Sequence, residues 1–133
     1  MVRRATAADV DAILAIVNAN TDRLLPRGRS DIEPLLDSFW VAELDGRVVG
    51  CCCLEVYSPK IAELRSLAVR AEARGHGLGA ALTAAAVAEA ERRGIPQVLV
   101  VTSNREFFER LNFGPCLNEK YALFWNNPAV EEP

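Results

Sequence analysis

The stretch from Ala62 to Gly94 constrains this chain more than any other. It opens with Glu63-Leu64-Arg65-Ser66-Leu67-Ala68-Val69, passes through Arg74-Gly75-His76-Gly77-Leu78-Gly79, and continues as an alanine-rich run to Glu91-Arg92-Arg93-Gly94. The first part reads as a strand. In the last part apolar residues at 78, 81, 82 and 85 share one helical face, and Gly94 with Pro96 stops that helix. Glycines at the junction let the backbone take positive dihedrals and let a ligand come close. The first N–H groups of a helix lack internal partners and carry partial positive charge. The junction is therefore an anion cradle, suited to a pyrophosphate. Two nucleotide motifs are excluded. No G-K-S/T follows, so this is not a P-loop. A dinucleotide fold places its loop on an early strand and needs more sheet than this chain supplies.

The remaining elements surround that unit. Val2 to Ala5 reads as a short strand, and Thr6 to Asp9 as a capping box with an acid at its fourth position. Val10, Ile13, Leu14 and Val17 recur at helical spacing, predicting a helix over residues 7–20. The loop from Thr21 to Arg29 carries Arg27 and Arg29, either solvated charge or an attraction for an acidic substrate. Ser30 and Glu33 make a second capping pair before a short helix that ends near Ser38. Phe39 to Leu44, Arg47 to Tyr57 and Ile61 to Val69 form an antiparallel meander, with turns at Asp45-Gly46 and Ser58-Pro59-Lys60. After the alanine-rich helix, Gln97 to Thr102 is an apolar run typical of a parallel strand covered on both faces. Strand, helix and strand make a right-handed crossover. Glu106 to Leu111 is a short helix ended by Asn112-Phe113-Gly114-Pro115, and Lys120 to Trp125 is the final strand. The expectation is a single α+β domain over residues 1–133. It has a mixed central sheet, an antiparallel N-terminal meander, a parallel strand pair and flanking helices.

Composition narrows the function classes. With 133 residues and a net charge of -3, sequence-independent nucleic-acid binding is not expected. No apolar run reaches the roughly 18 residues a membrane span needs. The N-terminus lacks the apolar core of a secretory signal, so the expected location is the cytoplasm. Cys51, Cys52 and Cys53 alternate faces on a strand and cannot ligate one metal together. With one histidine in the chain, no metal site is expected. The cysteines read as small buried hydrophobes.

Leu67-Ala68-Val69, a short spacer and R-x-x-G-x-G at Arg74 to Gly79 resemble the acetyl-CoA motif of the GNAT superfamily of N-acetyltransferases. The order of elements is similar too, and Phe107-Phe108-Glu109-Arg110-Leu111-Asn112-Phe113 looks like the family's Y-E-R-L-G-F segment. The resemblance implies a GNAT fold and an acetyl-CoA cofactor. Backbone groups of Leu67, Ala68 and Val69 would bind the pantetheine arm and the acetyl carbonyl, with an N–H near Ala68 meeting the charge that develops on oxygen. Backbone N–H groups of Arg74, Gly75, His76, Gly77, Leu78, Gly79 and Ala80 would hold the pyrophosphate, with the His76 side chain facing solvent. The arm would enter a gap where the strand at Leu99 splays from the Ile61 to Val69 strand. Asn104, Phe107, Phe108 and Arg110 would line the cofactor's far side.

The acceptor amine must be neutral to attack, so a base must take its proton. Several relatives carry a glutamate where Glu63 stands. Glu63 is the candidate base, and the alternative is a surface carboxylate paired with Arg65. Strand alternation puts Glu63, Arg65, Leu67 and Val69 on one face. Phe108 stands where relatives often carry the tyrosine that protonates the departing thiolate. Tyr121, water, or no acid at all takes that role here. The Glu63 to Val69 strand, the Leu-Leu-Pro-Arg loop and the Lys120 segment are similar to short members of the N-acetylglutamate synthase branch. That likeness implies a small-molecule amine such as glutamate, with Arg27, Arg29, Arg65 and Lys120 available to its carboxylates. A peptide or protein amine is the second reading, and a CoA-binding module without turnover the third. Many relatives are dimers, and the short region after Phe113 suits strand sharing.

Overall fold

The computed structural model describes residues 1–20, 27–115 and 123–130. The chain divides into two compact units, Met1–Val100 and Val101–Pro133.

The first unit is built on a five-stranded sheet in sequential order: β1 (Val2–Arg4), β2 (Phe39–Leu44), β3 (Arg47–Ser58), β4 (Ile61–Val69) and β5 (Gln97–Leu99). The first four strands pair antiparallel, and β4 pairs β5 in parallel. This is the mixed sheet expected, with helices on both faces. On one face α1 (Val10–Ala19) packs Val10, Ile13, Ile16 and Val17 against Val41, Cys51 and Cys53. On the other lies α3 (Leu78–Arg92), whose Leu82 carbonyl accepts a hydrogen bond from Cys52 Sγ at 3.5 Å. The three cysteines therefore do alternate faces, as a strand requires. Burial raises all three thiol pKa values, to about 12 for Cys51 and Cys53, so they serve as small core residues. Gly50 permits the close approach of α3. A Cβ there would lie 3.2 Å from both the Ala68 carbonyl oxygen and Leu82 Cδ1. No described helix is long and apolar enough to cross a membrane.

The Thr6–Asp9 box forms, but over a 3-10 turn at Ala7–Asp9 that precedes α1. Thr6 N–H and Oγ1 donate to Asp9 Oδ2 at 2.7 and 3.1 Å, and Arg3 grips the same carboxylate at 2.8 and 3.0 Å. Asp9 is buried. The Arg3 guanidinium holds its pKa down from 3.8 to about 2. A depressed carboxylate pKa contributes stability above the unfolded value and loses it as pH falls through the folded one. Asp9→Asn should therefore cost about 2 kcal/mol at neutral pH. It should also flatten the stability loss of the wild type between roughly pH 4 and pH 2, measured by urea unfolding across that range.

Three expectations are corrected. The second capping pair is Gly28 with Asp31, not Ser30 with Glu33: Gly28 N–H donates to Asp31 Oδ2 at 2.9 Å. The helix α2 then spans only Arg29–Ile32 and gives way to a 3-10 segment at Glu33–Ser38. Pro34 is the cause: it has no N–H to donate to the carbonyl four residues back, so the α ladder stops there although Glu33 itself stays in the α region. Next, β5 is three residues long and forms the sheet edge among the described residues, with Leu99 40% exposed. Its pairing stops at Glu63↔Leu99, and with Gln97 and Leu99 exposed it is not a strand covered on both faces.

The third correction lies in β4. Cys53 pairs with Arg65 and Cys51 with Ala68, so β4 carries one extra residue, and Ser66 there takes φ 55°. A bulge bends its strand and shifts the alternation by one residue. Arg65 and Ala68 thus share the α1 face, whereas Val69 packs beside Gly50 and Leu82 on the α3 face. Glu63 and Arg65 do not share a face with Val69.

In the second unit α4 (Arg105–Glu109) starts at Asn104, whose Oδ1 accepts from Phe107 N–H at 3.3 Å. It ends with Asn112 at φ 68°, while Phe113 N–H reaches back to the Phe108 carbonyl at 3.0 Å. Asparagine tolerates this left-handed position where the similar family segment has glycine. Phe108 is buried, edge-on to Phe107 and Phe113. Of the final strand expected at residues 120–125, Leu123 to Trp125 form no strand and are exposed. Lys120 and Tyr121 lie outside the described residues.

Candidate active site

The glycine junction has the geometry of an anion cradle. Gly75 and Gly77 take φ 86° and 72°, and a Cβ at either would meet nothing within 4 Å. Gly77 caps α3 in the left-handed conformation, and its carbonyl accepts the N–H of Ala81 at 3.1 Å. The N–H groups of Leu78, Gly79 and Ala80 precede that bond, where a helix has no acceptor of its own. His76 is exposed. Arg74 braces the loop: its Nε donates to the Val69 carbonyl at 3.3 Å and its Nη2 to Asn20 Oδ1 at 3.1 Å.

The end of β4 runs on past the last residue of β5, with the Val69 carbonyl held by Arg74 Nε. Arg70 N–H donates to the Val49 carbonyl at 2.8 Å, so the backbone groups of Arg70 turn toward β3. Alternation then turns those of Val69 toward the opposite edge, where β5 no longer pairs. The chain then leads to the glycine loop. These residues suit a long ligand with a pyrophosphate at one end and amide groups along its length.

Glu63 stands opposite Leu99, the last residue of β5. It lies directly opposite Glu55 on β3, and Arg65 lies opposite Cys53. Arg65 Nη1 donates to Glu55 Oε2 at 2.6 Å, and Tyr57 Oη donates to Glu63 Oε1 at 2.5 Å. The expected alternative pairing of Glu63 with Arg65 is therefore not the one formed. Glu55 holds Arg65's pKa up, and the bond to Glu63 raises the Tyr57 phenol to about 12.

The remaining candidates are placed as follows. Arg29 is tied to Asp11 and Glu33 on the helix surface. Arg27 lies near enough to Cys53 for its charge to act on that thiol. In the second unit Asn104 and Arg110 are exposed and Phe107 is half-buried. Glu55 and Tyr57 were not foreseen. The signal was available in principle, because the Ser58-Pro59-Lys60 turn sets a register that brings Glu55 opposite Glu63.

A family model described as an acetyltransferase (GNAT) domain matches residues 36–115. An uncharacterized N-acetyltransferase of Chlorobaculum tepidum is 39% identical over 114 residues, spanning 84% of this chain and 74% of that protein. An amino-acid acetyltransferase of Mycobacterium tuberculosis is 36% identical over 117 residues, spanning 85% and 67%. Among solved structures, a Mycobacterium tuberculosis protein in complex with CoA superposes with a TM-score of 0.79 at 35% identity, covering 84% of this chain and 70% of that one. The N-acetylglutamate synthase of Neisseria gonorrhoeae, complexed with coenzyme A and N-acetyl-glutamate, superposes with a TM-score of 0.76 at 28% identity. The match covers 84% of this chain but only 27% of the synthase.

Proposed function

Because the chain belongs to the GNAT acetyltransferase family, we propose that it transfers an acetyl group from acetyl-CoA to the amine of a small amino acid, glutamate foremost. The observation that carries this reading is the placement of Glu63. It is a carboxylate at the last pair between β4 and β5, where β5 ends and β4 runs on, two residues from Arg65. The likeness to an amino-acid acetyltransferase supports the substrate class.

Acetyl-CoA supplies the acetyl group as an activated thioester. The backbone groups of Arg74 to Ala80 hold its pyrophosphate, where Gly75 and Gly77 leave room. The backbone of Leu67, Ala68 and Val69 takes the arm, and an N–H near Ala68 faces the acetyl oxygen. Glu63 takes the proton of the incoming ammonium, directly or through one water, and leaves the amine neutral. Arg65 receives the acceptor's carboxylate by exchanging it for Glu55, with Arg27, Arg29 and Lys120 adding positive charge. Phe108 cannot protonate the departing thiolate, so Tyr121 or water does so, or it leaves as the anion. We read the whole chain as one acetyltransferase domain working in the cytoplasm as a dimer.

A second reading has a peptide or protein amine as acceptor. It is supported by the likeness to the ribosomal-protein-alanine N-acetyltransferase of Brucella melitensis, with a TM-score of 0.69 at 27% identity. Thiol release from acetyl-CoA against a panel of free amino acids, polyamines and short peptides separates the readings. Release with glutamate or another acidic amino acid supports the first. Release with peptides alone supports the second. Binding of acetyl-CoA without release for any amine points to a module that has lost turnover.

A further inference from the structure

We propose that Tyr57 is a positioning residue for Glu63, holding the carboxylate at the end of β5 through a hydrogen bond from its hydroxyl. The inference deepens the reading of Glu63 as the base and rests on it. Three observations carry it.

The first is backbone geometry. Val56 pairs with Ala62 and Ser58 with Ile61, so Tyr57 is an extra residue in β3 with no partner on β4. A bulge of this kind re-aims a side chain. Here the re-aimed hydroxyl meets Glu63.

The second is the division of partners. Glu55 and Glu63 face each other directly across the two strands, an arrangement that is repulsive when both are ionised. Each has its own donor. Arg65 serves Glu55 at 2.6 Å and Tyr57 serves Glu63 at 2.5 Å. The Tyr57 hydroxyl also lies 3.4 Å from Glu55 Oε2, but one hydroxyl has one proton, and the shorter contact takes it. With Oε1 engaged, Glu63 keeps Oε2 for the amine or its bridging water.

The third is exposure. Tyr57 is 52% exposed, so its ring is not a core element that happens to end in a hydroxyl. Its proton stays in place through the neutral range, as an ordinary phenol's does, and the bond to Glu63 raises the phenol further, to about 12. Without that bond, Glu63 is free to swing away from Glu55 and from the end of β5.

The test is a double-mutant cycle of Tyr57→Phe, Glu63→Gln and the pair, with kcat, KM for acetyl-CoA and the thermal midpoint measured for each. Tyr57→Phe should lower kcat about tenfold and leave KM for acetyl-CoA and the midpoint near wild type. The pair should be no slower than Glu63→Gln alone, since a hydroxyl that acts through Glu63 has nothing to act on once the base is gone. Full kcat in Tyr57→Phe, or a loss that multiplies with that of Glu63→Gln, overturns the proposal. The two levels fail separately. If Glu63→Gln keeps full turnover, the base assignment falls and this inference with it. If Glu63→Gln is slow while Tyr57→Phe is not, only the role of Tyr57 falls.

Discussion

Glutamine in place of Glu63 lowers kcat by about 100- to 1,000-fold and leaves the KM for acetyl-CoA nearly unchanged. The size follows from what a positioned base contributes to proton transfer. An amino-acid ammonium is almost wholly protonated at neutral pH, and only the neutral amine attacks. Glutamine keeps the shape and can still accept a hydrogen bond from Tyr57, but it cannot take up the proton. The cofactor contacts lie further along β4 and in the glycine loop, so affinity for acetyl-CoA should not move. Steady-state kinetics separates the two parameters. Full activity in Glu63→Gln would sink the base assignment and leave the cofactor site untouched.

The second large effect is expected at Gly77. Its φ of 72° caps α3 in a conformation that branched side chains rarely adopt. Valine there would carry a backbone cost of about 1–2 kcal/mol or more. Its side chain would also project into the open space where the loop should receive the pyrophosphate. The KM for acetyl-CoA should rise by about 100-fold in Gly77→Val. Most of that comes from lost complementarity and less from unfolding, which calorimetry alongside the kinetics would show. Unchanged affinity for acetyl-CoA would mean that the cradle lies elsewhere.

How much of this was legible beforehand depends on whether a residue's chemistry forces its backbone. Gly75 and Gly77 were readable because glycine at a strand-to-helix junction has few other uses. Thr6 and Asp9 were readable because the box is a local bond between near neighbours. The bulge at Ser66 was not, since serine has no strong preference for φ 55°. The strand pattern of Ile61 to Val69 runs through it without a break, so the assignment of Val69 to the Glu63 face failed by one residue. The bulge at Tyr57 was hidden for the same reason. The helical spacing of residues 30–38 hides the interruption at Pro34, which leaves one α turn followed by a 3-10 segment. The pairing of Arg65 with Glu55, and not with Glu63, is a matter of which donors reach across two bulged strands, and residue spacing along one strand does not encode it. Arg29 shows the same limit in one of its two pairs: Glu33 lies at helical spacing four residues on, but Asp11 comes from α1.

The account turns on one geometric claim: the β4 backbone that runs on past the Glu63↔Leu99 pair receives the acetyl arm with the acceptor amine beside Glu63. A crystal structure with CoA and glutamate bound tests it most directly. The account predicts density for the pyrophosphate along Arg74 to Ala80 and for the arm along the backbone of Leu67 to Val69. It also predicts the glutamate nitrogen within hydrogen-bond reach of Glu63, directly or through one water. An arm lying away from that backbone, or an amine on the α3 face of the sheet remote from Glu63, would contradict it.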